Sequence, residues 1–231
     1  MHNLDLYALV EEHLGFEEEI NSLYETIRNL ALESNPSTLI DIGCGQGEFC
    51  KQIANKDLKV FGVDLSQKQI DAALKKGVDA QSIDIKDVKE KFDCATAVFD
   101  VINYLPKEYI KEFFTHTYDL LNDEGYFIFD INSLFGFEEI AQGTLNIDLD
   151  DKFIAIDANF DDDILYTDIT LFTKEKDLYK KEFGTIEQYY YDNDFLAATL
   201  KKVGFEVTKI VEFNLHSEDE CDKYIFVCKR K

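Results

Sequence analysis

Apolar and polar positions follow two different periods along this chain, and the two alternate. Short, mostly apolar runs of four to nine residues are typical of buried strands, whereas apolar positions spaced i, i+3, i+4 and i+7 predict helices. The predicted strands cover residues 39–42, 60–65, 79–83, 92–99, 126–131, 205–213 and 223–229, and helices are predicted at 48–56, 67–76, 107–121 and 194–202. Strands that alternate with helices predict an α/β fold with a mostly parallel sheet.

Two segments fall outside this alternation. Before the first strand, apolar positions between Ile20 and Ala31 predict an amphipathic helix that ends before Asn35-Pro36, and a shorter helical piece near 7–14 precedes it. Later, residues 153–160, 164–173 and 178–190 are rich in β-branched and aromatic residues and are separated by acidic or charged turns, which predicts three antiparallel strands. We therefore expect an N-terminal helical cap (1–35), a core (36–132 and 192–231) and a β-rich insertion (133–191).

The first strand runs directly into a turn with three alternate glycines, Gly43, Gly45 and Gly47. Glycine lets a backbone turn sharply and approach a ligand closely, and the first N–H groups of the following helix would point at that ligand. A dinucleotide site needs the spacing G-x-G-x-x-G, but counting from Gly43 places Glu48 at the third position, where a carboxylate would repel a pyrophosphate. The nicotinamide or flavin interpretation is therefore weakened.

The remaining pattern, an acid followed by x-G-x-G-x-G, resembles the first motif of the class I S-adenosylmethionine-dependent methyltransferases, which matches Asp41 and the three glycines. The resemblance covers roughly residues 39–132. It implies a Rossmann-like sheet of seven strands with an antiparallel last strand, with the insertion over the active-site edge. It also implies S-adenosylmethionine as the cofactor.

Two further acids follow in order. Asp64 ends the second strand roughly 20 residues after the glycines, where an acid can accept hydrogen bonds from both ribose hydroxyls. Its alternative role as a helix cap is weakened because Ser66 and Gln69 already form a capping-box pattern. For Asp84 the resemblance implies a contact with the adenine amino group, and a solvated loop acid is the alternative. The predicted cofactor-binding residues are Asp41, Gly43, Cys44, Gly45, Gly47, Asp64, Leu65, Asp84, Ile85, Phe99 and Asp100.

Ligands of open α/β sheets bind outside the carboxyl ends of the strands, which is where the candidate catalytic residues lie. Asn103 and Tyr104 follow the fourth strand, Asn132 ends the fifth, and Tyr189 lies at the exit of the insertion. The resemblance implies that Asn103 and Tyr104 contact cofactor or substrate; a loop asparagine and a packed tyrosine are the alternatives. Two further tyrosines, Tyr7 and Tyr24, could close the pocket, although core packing is the more common role at helical spacing. His216 is expected to be a solvated loop residue.

Charge and cysteine usage narrow the substrate class. With 24 basic and 47 acidic residues, the formal net charge of −23 disfavours nucleic acid and anionic membranes and favours a neutral or cationic small molecule. The five cysteines form no C-x-x-C pair and the four histidines no ligand pattern, so we expect reduced thiols and no metal site. No apolar stretch reaches membrane-spanning length and the acidic N-terminus is unlike a signal peptide, so a cytoplasmic enzyme is expected.

The expected activity is transfer of a methyl group to a nitrogen or oxygen of a small molecule by in-line displacement. An enzyme that modifies the cofactor itself is an alternative, but Arg28 and Arg230 are the only arginines available to line a carboxylate pocket. A non-catalytic binding protein is a second alternative, and a nicotinamide dehydrogenase is a more distant one. A homodimer is also open, because an exposed β insertion could pair between chains.

Overall fold

The computed structural model describes residues 3–216 and 220–231, which form two separate sheets and the helices that cover them. The strands are β1 (Thr38–Ile42), β2 (Lys59–Asp64), β3 (Ala80–Ser82), β4 (Phe92–Ala97), β5 (Leu121–Asn132), β6 (Gly143–Asp148), β7 (Lys152–Asp161), β8 (Ile164–Glu175), β9 (Leu178–Tyr189), β10 (Phe205–Phe213) and β11 (Lys223–Arg230). The helices are α1 (Asn3–Tyr7), α2 (Glu17–Leu32), α3 (Glu48–Ile53), α4 (Gln67–Lys75), α5 (Lys107–Leu120) and α6 (Asn193–Val203).

The larger sheet has seven strands in the order β3-β2-β1-β4-β5-β11-β10. The first five pair in parallel, and β11 runs antiparallel to both of its neighbours, β5 and β10. This confirms the predicted Rossmann-like sheet with an antiparallel last strand. Its order reverses at β1, where β4 and β2 lie on opposite sides, and a crevice for a ligand is expected outside the carboxyl ends of such strands.

Helices cover both faces of this sheet. Successive residues of β5 point to opposite faces, so the strand contributes to the apolar core on each side. Phe127 and Phe129 are fully buried beside Phe114 of α5, whereas Ile128 between them packs with Leu23 and Ile27 of α2 on the other face. Burial of each such side chain contributes about 1.5–3 kcal/mol. The predicted amphipathic helix is therefore held on the sheet by its apolar stripe.

The predicted start of α4 is also confirmed, since the Ser66 side chain accepts a hydrogen bond from the Gln69 N–H.

The insertion has four antiparallel strands in the order β6-β7-β8-β9, one more than the sequence pattern predicted. The additional strand, β6, lies at the edge of this sheet and is almost entirely exposed, and only two apolar residues, Leu145 and Ile147, alternate along it. One face of the four-stranded sheet is apolar. There Ile154 and Ile169 pack with Leu6 and Val10 of the N-terminal segment, which brings the helical cap and the insertion together.

Two local predictions were wrong. The strand β5 begins at Leu121, directly after α5, so residues 122–125 belong to the strand rather than to a break before it. The predicted helical piece at 7–14 instead consists of α1 and a short 3-10 helix at Glu11–His13. Across the described residues, no helix combines the length and the apolar character needed to cross a membrane.

Candidate functional site

A cavity of about 810 Å³ lies outside the carboxyl ends of β1, β2 and β4, with residues of the N-terminal cap on its other side. Many of the residues predicted from sequence line it together. These are Asp41, Gly43, Cys44, Gly45, Asp64, Leu65, Asp84, Ile85, Phe99 and Tyr104. The cavity is large enough for a nucleoside-sized ligand together with a second small molecule.

The glycine turn has left-handed backbone conformations at Gly43, Gly45 and Gly47, with φ angles of 73°, 52° and 78°. At Gly43 and Gly47 a side chain would also collide with the protein, because a Cβ atom would lie 2.8 Å from Val101 and from Val78, respectively. Gly45 differs, since a Cβ atom there would meet nothing within 4 Å and would face the cavity. Gly47 does not line the cavity and instead caps α3.

Asp64 connects this turn to the second strand. Its carboxylate accepts hydrogen bonds from the backbone N–H groups of Gly45, at 3.0 Å, and of Ser66, at 2.8 Å. The turn is anchored further by Val63, whose carbonyl accepts from the N–H groups of Gly43 and Cys44 at 2.8 and 3.0 Å. An ionised carboxylate can accept about four hydrogen bonds, so Asp64 can share its oxygens between these N–H groups and ligand hydroxyls.

Asp41 lies beneath the turn and is almost completely buried. Its two carboxylate oxygens accept hydrogen bonds from the Thr96 hydroxyl at 2.7 Å and from the Cys50 thiol at 3.4 Å. Burial raises the pKa of Asp41 to about 7, although both hydrogen bonds act in the opposite direction. A cationic ligand in the cavity would therefore favour the ionised form of this carboxyl group.

At the other end of the cavity, Asp84 caps a short 3-10 helix at Ile85–Asp87. Its carboxylate accepts from the Lys86 backbone N–H at 3.1 Å and forms an ion pair with the Lys86 ammonium at 2.9 Å. Partial burial acts to raise the pKa of Asp84, but the contacts with Lys86 outweigh it, and the pKa is lowered. The helix α5 contributes Tyr109, Glu112 and His116 to this part of the wall, and sequence periodicity did not single them out.

The loop after β4 contains two consecutive non-glycine residues, Phe99 and Asp100, in left-handed conformations, with φ angles of 69° and 67°. Asp130 at the end of β5 accepts hydrogen bonds from both of their N–H groups, at 2.6 and 3.3 Å. The ammonium of Lys223 on β11 lies 3.0 Å from Asp130 Oδ2, the oxygen that also accepts from the Asp100 N–H, and it pairs with the Asp100 carboxylate as well. Burial raises the pKa of Asp130, and the two carboxylates raise the pKa of Lys223 against the opposing effect of burial.

Three predicted catalytic residues lie outside the cavity, and so does Asp100. Asn103 is fully buried and uses its whole amide: the NH₂ group donates to the Tyr189 carbonyl at 2.8 Å, and the oxygen accepts from the Asn132 N–H at 3.0 Å. The hydroxyl of Tyr189 donates to Glu187 at 2.7 Å. In this structure Asn103 ties the exit of the insertion to the end of β5, and the Asp100 carboxylate pairs with Lys223.

Residues of the N-terminal cap complete the cavity. Tyr7 and Tyr24 line it together with Tyr104 from the loop after β4, and burial raises the pKa of all three phenols above their usual value. At neutral pH these groups are therefore hydroxyl donors and not phenolate bases. Glu11, which no sequence pattern marked, also lines the cavity, and burial raises the pKa of its carboxyl group. His216 is an exposed loop residue, as expected, and its ring centre lies 5.0 Å from that of Phe16; residues 217–219 lie outside the described residues.

Comparisons with known proteins agree on one family. A sequence profile of the methyltransferase domain matches residues 16–210. A candidate methyltransferase of Geobacillus sp. (strain WCH70) is 26% identical over 208 residues, covering 84% of both chains. An S-adenosylmethionine-dependent methyltransferase from Clostridium acetobutylicum is 25% identical, with a TM-score of 0.77 over 91% of this chain and 92% of its own. The fold is also shared, at 18% identity and a TM-score of 0.72, by the S-adenosylmethionine-bound amino pentose methyltransferase of Micromonospora echinaspora, over 98% and 97% of the two chains.

Proposed function

The chain belongs to the methyltransferase domain family, and from this premise we propose that it transfers a methyl group from S-adenosylmethionine to a nitrogen or oxygen of a small neutral or cationic molecule. It is an enzyme, and S-adenosylmethionine is its cofactor. The observation that carries the proposal is the cavity itself. It joins a glycine turn and two strand-end acids on one side to three tyrosines and Glu11 on the other.

The residues on the sheet side fit this cofactor. The space at Gly45 is open, Asp64 can accept from the ribose hydroxyls, and we assign the adenine contact to Asp84 and Ile85, which also line the cavity. Buried Asp41 would favour the positive charge of the ligand. When bound, S-adenosylmethionine would supply a methyl carbon that an acceptor nitrogen or oxygen can attack in line, with S-adenosylhomocysteine as the leaving group.

The chain's own contribution to this reaction is to orient the acceptor and to exclude water. Effective molarities of well-oriented groups account for much of the barrier reduction in such reactions, so no covalent enzyme intermediate is required. We assign acceptor binding to Tyr7, Tyr24 and Tyr104, which can hydrogen-bond and stack on it. Glu11 is the candidate group for removing a proton from the acceptor, because it is a carboxylate of raised pKa in the same wall.

The charge of the wall favours a neutral or cationic acceptor. Besides Glu11, the cavity is lined by Glu48, which pairs with Lys76, and Glu112, which lies 3.5 Å from His116. The lysine in its wall, Lys86, is paired with Asp84, so acidic groups outnumber basic ones there. An amine approaches such a wall more readily than a carboxylate does. The Micromonospora relative, whose name gives an amino pentose as its substrate, supports amino sugars as the first acceptors to test.

The test is an acceptor screen that detects release of S-adenosylhomocysteine. We expect turnover with a neutral amine, an amino sugar or a hydroxyl compound, and little turnover with dicarboxylates of similar size. The Glu11→Gln variant is the matched control, since it keeps the size of the side chain but removes the proposed base. Tight binding of S-adenosylmethionine without turnover of any acceptor would instead favour the non-catalytic binding protein, and consumption of the cofactor without methyl transfer would favour the cofactor-modifying enzyme.

The raised pKa of Asp41 predicts that cofactor binding depends on pH. In the folded protein without ligand the pKa of this carboxyl group is raised from its ordinary value of 3.8 to about 7. The protein is therefore stabilised most below pH 3.8, and this contribution is lost as the pH rises to about 7. A bound cation favours the ionised form, so binding should release up to one proton and tighten about fivefold as pH rises from 6 to 7. Calorimetry in buffers of different ionisation enthalpy measures this proton release. In Asp41→Asn the release should disappear, and an unchanged release would exclude Asp41 as its source.

A further inference from the structure

We propose that Lys223 is a positioning residue for the methyl transfer, an inference that rests on the proposed function. Lys223 lies on β11, far along the chain from the glycine turn, and is only 2% exposed. Its ammonium group contacts Asp100 and lies 3.0 Å from an oxygen of Asp130, whose exposed fractions are 8% and 0%. These three side chains form a buried ionic cluster behind the cavity, and we call it the Lys223 cluster.

The Lys223 cluster holds the backbone of the loop after β4 in a conformation that non-glycine residues rarely adopt. Phe99 and Asp100 both have positive φ angles, and each donates its N–H to the carboxylate of Asp130. The ammonium of Lys223 contacts both carboxylates and so bridges the side chain of Asp100 to Asp130. It also lies 5.4 Å from the centre of the Phe99 ring. Left-handed residues persist only where the surroundings determine them, and here Asp130 and Lys223 do so.

This loop touches both halves of the cavity. Phe99 and Val101 line it, and Val101 packs on the glycine turn so closely that a Cβ atom on Gly43 would lie 2.8 Å from it. Three residues further on, Tyr104 lines the acceptor side. A shift of the loop would therefore change the distance between cofactor and acceptor. A misplacement of about 1 Å is enough to reduce a rate substantially.

Loss of the lysine alone would leave two buried carboxylates facing each other. One of them would have to take up a proton or move apart, because an unpaired buried charge is strongly disfavoured. A fall in activity after Lys223→Met could then reflect lower stability alone. The double variant Lys223→Met/Asp100→Asn separates the two effects, since it removes one positive and one negative charge and keeps the net charge of the cluster.

The experiment measures the melting temperature, the dissociation constant of S-adenosylhomocysteine by calorimetry, and kcat and KM with an acceptor from the screen. For Lys223→Met we expect a lower melting temperature, about tenfold weaker S-adenosylhomocysteine binding and a lower kcat. For the double variant the melting temperature should return most of the way to the wild-type value. S-adenosylhomocysteine binding and kcat should stay low, because Lys223 no longer connects the loop to Asp130. Lys229→Met is the matched control: this lysine lies on the same strand and pairs with Glu124 at 2.5 Å, away from the cavity, so binding and kcat should not change.

If the double variant regains binding and kcat together with its melting temperature, Lys223 has a stabilising role alone and the positioning proposal is wrong. If Lys223→Met does not fold, the double variant compared with wild type still decides between the two outcomes. Should the wild-type protein turn over no acceptor, the proposed function fails, but the dissociation constants of S-adenosylhomocysteine still test the effect of Lys223 on the loop.

Discussion

Replacement of Gly45 by alanine should weaken S-adenosylmethionine binding about 10- to 100-fold, because the added methyl group would occupy space that the cofactor needs. In the protein itself the new Cβ atom meets nothing within 4 Å, so the collision arises only when a ligand is bound. The φ angle of 52° imposes a second effect, since a left-handed alanine costs about 1–2 kcal/mol of stability. Calorimetry measures the first effect and thermal unfolding the second.

Gly77→Ala is the matched control for this prediction. Gly77 also has a positive φ angle, 80°, and open space around its Cβ position, but it lies after α4 and does not line the cavity. Both variants should lose similar stability, with the melting temperature falling by roughly 2–8 °C. Only Gly45→Ala should lose affinity. Equal affinity of the two variants would mean that the cofactor does not approach the glycine turn.

The glycine turn was predictable from sequence because its chemistry is local. The turn, the strand before it and Asp64 lie within 26 residues, and each carries a signal in residue type and spacing. The strands of the main sheet were predictable for a related reason: both faces of the sheet are covered, so the strands read as nearly continuous apolar runs. The edge strand β6 is short and almost entirely exposed, with Ile147 its one partly buried apolar residue, so it has no such run.

The remaining parts of the site depend on contacts between distant segments. Asp130 and Lys223 lie 93 residues apart, and each alone has the appearance of an ordinary strand residue. Their proximity follows from the antiparallel pairing of β11 with β5, whose register sequence patterns do not report. Asn103 was assigned to catalysis from its place after a strand, but two distant backbone groups take up its amide.

The acceptor side is the part that sequence described least. The sequence marked Glu11 only as part of an acidic N-terminus, and for Tyr7 it favoured core packing over a place in the pocket wall. Both line the cavity because Leu6 and Val10 of the cap pack on the apolar face of the insertion. The same contact makes the insertion and the cap a joint determinant of acceptor shape. Differences between relatives in these two segments should therefore alter the acceptor without altering the cofactor.

The second large effect is expected for Asp64→Ala, which should weaken cofactor binding about 10- to 100-fold because it removes charge-assisted hydrogen bonds to the ribose. The change has a second consequence, since the same carboxylate holds the N–H groups of Gly45 and Ser66. Loss of affinity alone would not distinguish ribose binding from organisation of the turn. Asp71→Ala on α4 controls for the loss of a nearby negative charge, as its carboxylate accepts from Gln67, and its affinity should stay near that of wild type.

A cycle that truncates both partners separates the two roles of Asp64. The dissociation constants of S-adenosylhomocysteine and of its 2′-deoxy analogue are measured for wild type and for Asp64→Ala. If the carboxylate accepts from the ribose, loss of the hydroxyl should weaken binding to wild type about tenfold or more and should have little effect in the variant, because the partner is already absent. If Asp64 acts solely through the turn, loss of the hydroxyl will have the same effect on both proteins. That result would mean that Asp64 does not bind the ribose and acts only by holding the backbone of Gly45. The Gly45→Ala variant would then be the remaining test of whether the glycine turn binds the cofactor.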